Sequence, residues 1–214
     1  MTEIHTLNTT IHGRYLVESA GAGAPLLMGF HGYGQGAEQL LEDLRRIPGA
    51  AGWTLVAVQA LHRFYSPKTR DVVGSWMTSQ DREQAIQDNL TYVRRVLAEL
   101  RETQGDGPLV FAGFSQGAVM AWRAAAQCGP CAGLIVLGGD LPLDVAEAVD
   151  LDLPCILLGR GNQDPLYTAS QLEKDLAALA ARGLKAEVIR FEGGHDWAPE
   201  FLSAVGGFLE GLRS

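Results

Sequence analysis

Short apolar runs recur along the chain at 25–30, 53–58, 109–114, 133–138, 155–159 and 185–191, separated by helix-compatible segments or by a long connection. Strands that read as nearly continuous apolar runs must be covered on both faces, and intervening helices supply that cover. The alternation therefore predicts an α/β architecture: a mostly parallel central sheet with helices on both faces. Helices are expected near 37–47, 81–103, 118–126, 143–149, 168–182 and 199–212, with a strand-like stretch at 10–18 ahead of them. In the long helix, Ile86, Leu90, Val93, Val96, Leu97 and Leu100 recur at helical spacing and form one apolar stripe. Residues 60–78, rich in His, Arg, aromatics and Ser, read as a long loop. A chain of 214 residues is long enough for one well-buried core, and residues 1–214 are expected to form a single domain.

In sheets of this kind, sites form in the loops beyond the carboxyl ends of the strands. One such loop follows the run Leu109-Val110-Phe111-Ala112, where Gly113-Phe114-Ser115-Gln116-Gly117 leads directly into a helical segment. Gly-x-Ser-x-Gly between strand and helix has the form of a nucleophile elbow. The serine takes a strained backbone conformation there, and the two glycines relieve crowding two residues to either side. Taken alone the motif is weak, because a chain with 26 glycines can produce it by chance. The residues around it must decide.

A serine hydroxyl is a poor nucleophile at neutral pH. It needs a general base, and the base needs an orienting group. In α/β-hydrolases these follow the nucleophile in the order acid, then histidine. His195, in the turn after the last strand, is the expected base, since His5, His12, His31 and His62 all precede the serine. Asp164, after the run at 155–159, is the expected acid, with Asp140 after the preceding strand in reserve. Asp196 adjoins His195 too closely to orient it and is expected to cap the last helix instead. The oxyanion of an acyl-transfer intermediate requires preorganised N–H donors. Gln116, directly after the nucleophile, supplies one, and Tyr33 in His31-Gly32-Tyr33-Gly34 is the expected second. Trp76, Phe64 and Tyr65 are candidate walls for an apolar acyl or aryl group, with Phe114 a weaker candidate. Arg63 and Lys68 could meet an acidic substrate, although exposed bases are usually only solvated.

Charge and cysteine usage narrow the function classes. A net charge of -8 argues against nucleic acid or an anionic membrane surface as partner. The first residues, Thr2-Glu3-Ile4-His5-Thr6-Leu7, lack a basic stretch followed by an apolar one, and no apolar run has transmembrane length. A cytoplasmic location is the expectation. Three cysteines do not make a disulfide framework. Cys128-Gly129-Pro130-Cys131 spells a dithiol motif, but it ends a helix, whereas a thioredoxin-type motif opens one.

The blocks Gly113-Phe114-Ser115-Gln116-Gly117, His31-Gly32-Tyr33-Gly34, Ser75-Trp76-Met77 and Gly193-Gly194-His195 together resemble the phospholipase/carboxylesterase family, which includes acyl-protein thioesterases. The resemblance runs from about residue 25 to the end of the chain. It implies an α/β-hydrolase fold without a large cap domain, and a serine esterase that works without cofactor or metal. By the same resemblance Ser115, Asp164 and His195 are the triad, and Tyr33 and Gln116 the oxyanion donors. The chain departs from the family in carrying Tyr33 in place of the leucine usual in thioesterase members, and Asp196 where Glu is frequent. The expected partner is a small-molecule ester, with homodimer formation left open. Acyl-thioesterase or lysophospholipase activity, a serine peptidase and a non-catalytic binding protein on the same scaffold are the alternatives.

Overall fold

The computed structural model describes residues 1–149 and 151–213. Seven strands form one sheet: β1 (Arg14–Glu18), β2 (Leu26–Phe30), β3 (Thr54–Gln59), β6 (Leu109–Phe114), β7 (Gly133–Leu137), β8 (Cys155–Gly161) and β9 (Ala186–Phe191). Their spatial order is β1-β3-β2-β6-β7-β8-β9. Only β1 runs antiparallel to its neighbour, and the other pairs are parallel. The central strands β2, β3, β6 and β7 are buried at every residue, which explains their unbroken apolar sequences. The edge strands β1 and β9 mix exposed and half-buried positions.

Period-two alternation divides each central strand between two cores. Leu26, Met28 and Phe30 of β2 join Leu109 and Phe111 of β6 under α2 (Arg82–Gln104), α3 (Gln116–Gln127), α4 (Leu143–Ala146) and α5 (Ala169–Ala181). Leu27, Val110 and Ala112 point to the opposite face, where α1 (Ala37–Arg45) and α6 (Pro199–Gly211) cover them. The predicted stripe of α2 is buried along its whole length, with Asn89 added to it. Asn89 is tolerated there because its amide donates to the Trp76 and Ala85 carbonyls. No helix among the described residues is long and apolar enough to cross a membrane.

The expected loop at 60–78 is not structureless. It contains a hairpin of β4 (His62–Tyr65) and β5 (Val72–Ser75), paired antiparallel from His62 opposite Ser75 to Tyr65 opposite Val72. Residues of β4 are mostly exposed, so the pair lacks the apolar alternation by which a strand is recognised. Backbone bonds to a neighbouring loop hold it instead: Gly34 N–H donates to the Gly74 carbonyl and Gly74 N–H to that of Gln35.

Strand order reverses between β2 and β6, from which the chain winds outward in opposite directions. A crevice forms at such a point, beyond the carboxyl ends of the two strands. The register pairs Phe30 with Gly113, which brings the turn beginning at His31 beside the turn at Ser115.

Candidate active site

Ser115 sits between β6 and α3 with φ 55° and ψ -120°, a left-handed conformation that a non-glycine residue adopts only under constraint. Its N–H donates to the Leu137 carbonyl of β7. The flanking glycines answer to close approach. A Cβ on Gly113 would lie 2.2 Å from the Gly117 carbonyl oxygen, and one on Gly117 would lie 2.0 Å from that of Phe30. Any larger residue would push apart the strand and helix that present the serine.

The turn after β8 carries Asp164, and the turn after β9 carries His195. Asp164 is almost fully buried. Its Oδ1 accepts from the N–H groups of Leu166 and Tyr167, and its Oδ2 lies 2.7 Å from His195 Nδ1. Three donors fix the carboxylate, and the carboxylate fixes the ring, leaving Nε2 as the nitrogen free for chemistry. That nitrogen is buried and has no hydrogen-bond partner among the described residues. The ring also packs against Phe114 at 4.7 Å between centroids. Asp140 is held elsewhere, by Gln171 Nε2 at 3.3 Å.

The turn after β2 is organised by side chains that sequence reasoning did not single out. Gly32 N–H donates to Gln35 Oε1, and the Ala60 N–H and the Gln59 amide both donate to His31 Nε2. With Nε2 an acceptor, His31 carries its proton on Nδ1, which donates to the Gly32 carbonyl. Among the described residues no acceptor takes the Tyr33 N–H. As the first residue of α3, Gln116 has no intrahelical acceptor for its own N–H. Its side chain bridges to the segment before α2, accepting from Trp76 N–H and donating to the Met77 carbonyl. Glutamines near a turn give no sequence signal of such bridges, because their partners are backbone groups brought in by the fold.

Trp76 is not a site wall. It is 0% exposed, lies edge-on to Phe30 and donates its indole N–H to the His31 carbonyl. An aromatic ring beside a polar turn fits a pocket or a core equally well in sequence, and here the core takes it. Phe64 and Tyr65 lie in the hairpin: Phe64 is half-buried against the exposed Tyr33 ring at 5.6 Å, and Tyr65 is exposed. Arg63 donates to the His12 carbonyl, and Lys68 is exposed. Asp196 does not cap α6, whose N-cap is Ala198 without a side-chain bond. Cys128 and Cys131 are unbridged, and burial pushes their thiols up to about 11 and about 12, so neither is a thiolate near neutral pH. A cleft of about 600 Å³ opens beside His195, between α1 and the turn before α6, with Gln35, Phe114 and Trp197 on its walls.

Burial lowers the pKa of His31 below its usual 6.5. The unfolded chain then binds more protons than the folded one once pH falls through that value. Stability from neutral His31 is therefore present above it and lost below it. The thermal midpoint should fall between about pH 7.5 and 5.5, and fall less steeply in His31→Gln. Equal slopes in a pH series of melts would remove this role.

The thioesterase domain family model matches residues 44–138. The structure is similar to that of esterase PE8, with 25% identity over 94% of this chain and 98% of that one and a TM-score of 0.72. It is also similar to Zea mays acyl-protein thioesterase 2, with 19% identity over 95% and 100% and a TM-score of 0.75. A phospholipase/carboxylesterase from Dyadobacter fermentans shares 20% identity over 95% and 99%, with a TM-score of 0.69. The fold is that of an α/β-hydrolase, and the proteins it is similar to are esterases and thioesterases. No curated protein sequence matches it. The chain has the mostly parallel sheet with helices on both faces that its sequence predicts.

Proposed function

We propose that this protein is a serine carboxylesterase acting on small or medium acyl or aryl esters. The observation that carries the reading is the buried Asp164–His195 pair, whose free Nε2 belongs to the turn neighbouring a serine at φ 55°. Ser115 Oγ attacks the ester carbonyl while His195 Nε2 takes its proton. The Tyr33 and Gln116 N–H groups hold the oxyanion, and the positive end of α3 adds to that field. Collapse of the intermediate expels the alcohol, which takes the proton from His195 and leaves an acyl-Ser115 ester. Water, deprotonated by His195, then releases the acid. Tyr33, tilted against the Phe64 ring of the hairpin, offers an aromatic platform for the acyl or aryl group.

A thioesterase reading uses the same residues and is favoured by the family model matched at 44–138. A fluorophosphonate probe should label the folded protein at Ser115, and an oxygen ester should turn over faster than the thioester of the same acyl chain. No labelling of folded protein would favour a binding protein. A reversed ester-to-thioester ratio would make the thioesterase the better description.

A further inference from the structure

The cleft beside His195 has features that acyl transfer at Ser115 does not by itself explain. Four buried side-chain polar atoms lack a hydrogen-bond partner among the described residues, and two of them, His195 Nε2 and Trp197 Nε1, belong to residues of this cleft. Trp197 is 5% exposed, so its indole N–H has given up water without a protein acceptor in return. The Trp197 indole is a donor without an acceptor, and His195 Nε2, with the ring proton on Nδ1, is an acceptor without a donor; both belong to residues that line a cavity of about 600 Å³.

Mechanism says which part of the ligand goes there. His195 must hand its proton to the departing oxygen, so the leaving group lies on the histidine side of the serine. The acyl group is then left to the side of Tyr33 and Phe64. Charge says what kind of leaving group fits. The cleft carries the carboxylates of Asp43, Glu192, Asp196 and Glu200 against the single guanidinium of Arg46, which is already bonded to Asp43. Glu192 accepts from the neutral Asn162 amide, and Asp196 and Glu200 have no cationic partner among the described residues.

We infer that this cleft binds the leaving group of the substrate and selects a positively charged alcohol over an anionic one. The inference rests on the assignment of Ser115 and His195 above. Its test is a set of three butyrate esters that share one acyl group: the choline ester, its uncharged isostere 3,3-dimethylbutyl butyrate, and the anionic 2-sulfoethyl butyrate. kcat/KM should rank cation, neutral, anion, with about tenfold between the extremes at low salt, and the spread should shrink as ionic strength rises. In an Asp196→Asn/Glu200→Gln protein the spread should shrink further. Both side chains lie in exposed residues, so the fold should tolerate the change, and the salt series on the unaltered protein tests the charge effect without any substitution. A flat ranking, or one that neither salt nor the double substitution alters, overturns the selectivity while leaving the esterase intact. Failure to cleave any of the three esters overturns the esterase assignment itself.

Discussion

Ser115→Ala should lower ester turnover by at least about 10³-fold while leaving the fold intact, because without its nucleophile the remaining machinery can only bind the ester and polarise its carbonyl. Stability should barely change. Among the described residues the Ser115 hydroxyl has no hydrogen-bond partner, and alanine keeps the same Cβ at φ 55°. Ser115→Gly sharpens the prediction. Glycine accepts φ 55° and ψ -120° without steric cost, so that variant should be equally inactive yet more stable, by about 1–3 kcal/mol if the strain is stored at this residue alone. Greater stability with lost activity marks a residue strained for function. The measurements are kcat on a p-nitrophenyl ester and the thermal midpoint of all three proteins. Retained turnover in Ser115→Ala would end the nucleophile assignment.

What the sequence revealed about this site, and what it hid, divides along a physical line. The placement of Ser115, Asp164 and His195 was legible because each sits just beyond the carboxyl end of a strand whose apolar run is unmistakable, and chain order then made them a candidate set. The sheet itself was legible for the same reason: β2, β3, β6 and β7 are buried throughout, so nothing polar interrupts their pattern. The β4–β5 hairpin was not. Its attachment depends on Gly34, Gln35 and Gly74 backbone groups meeting between the hairpin and the turn after β2, which no local pattern encodes. Trp76 failed as a site wall by the same logic. Its position between Phe30 and the His31 carbonyl is a tertiary fact, and truncating so buried a ring would cost about 3–5 kcal/mol whatever its function. Gln35, Gln59 and Gln116 brace the segments after β2 and β6 through backbone partners, so their role emerges only with the fold.

The second large effect concerns the acid. Asp164→Asn should lower kcat by about 10⁴-fold with the protein still folded. The new side chain keeps an oxygen for the Leu166 and Tyr167 N–H groups, which hold the present Oδ1 at 2.8 and 2.9 Å. Its amide then replaces Oδ2 opposite His195 Nδ1, now 2.7 Å away. An amide donates where the carboxylate accepted, so Nδ1 must become the acceptor and the ring proton moves to Nε2. An imidazole protonated on Nε2 cannot take the serine proton, and no charge remains to stabilise the imidazolium. Asp140→Asn, by contrast, should leave kcat within about twofold, since Asp140 is joined to Gln171 and not to His195. Comparing kcat for the two isosteric variants, with circular dichroism as the check on folding, separates orientation of the base from a general loss of negative charge. A large loss in Asp140→Asn beside a small one in Asp164→Asn would exchange the two roles.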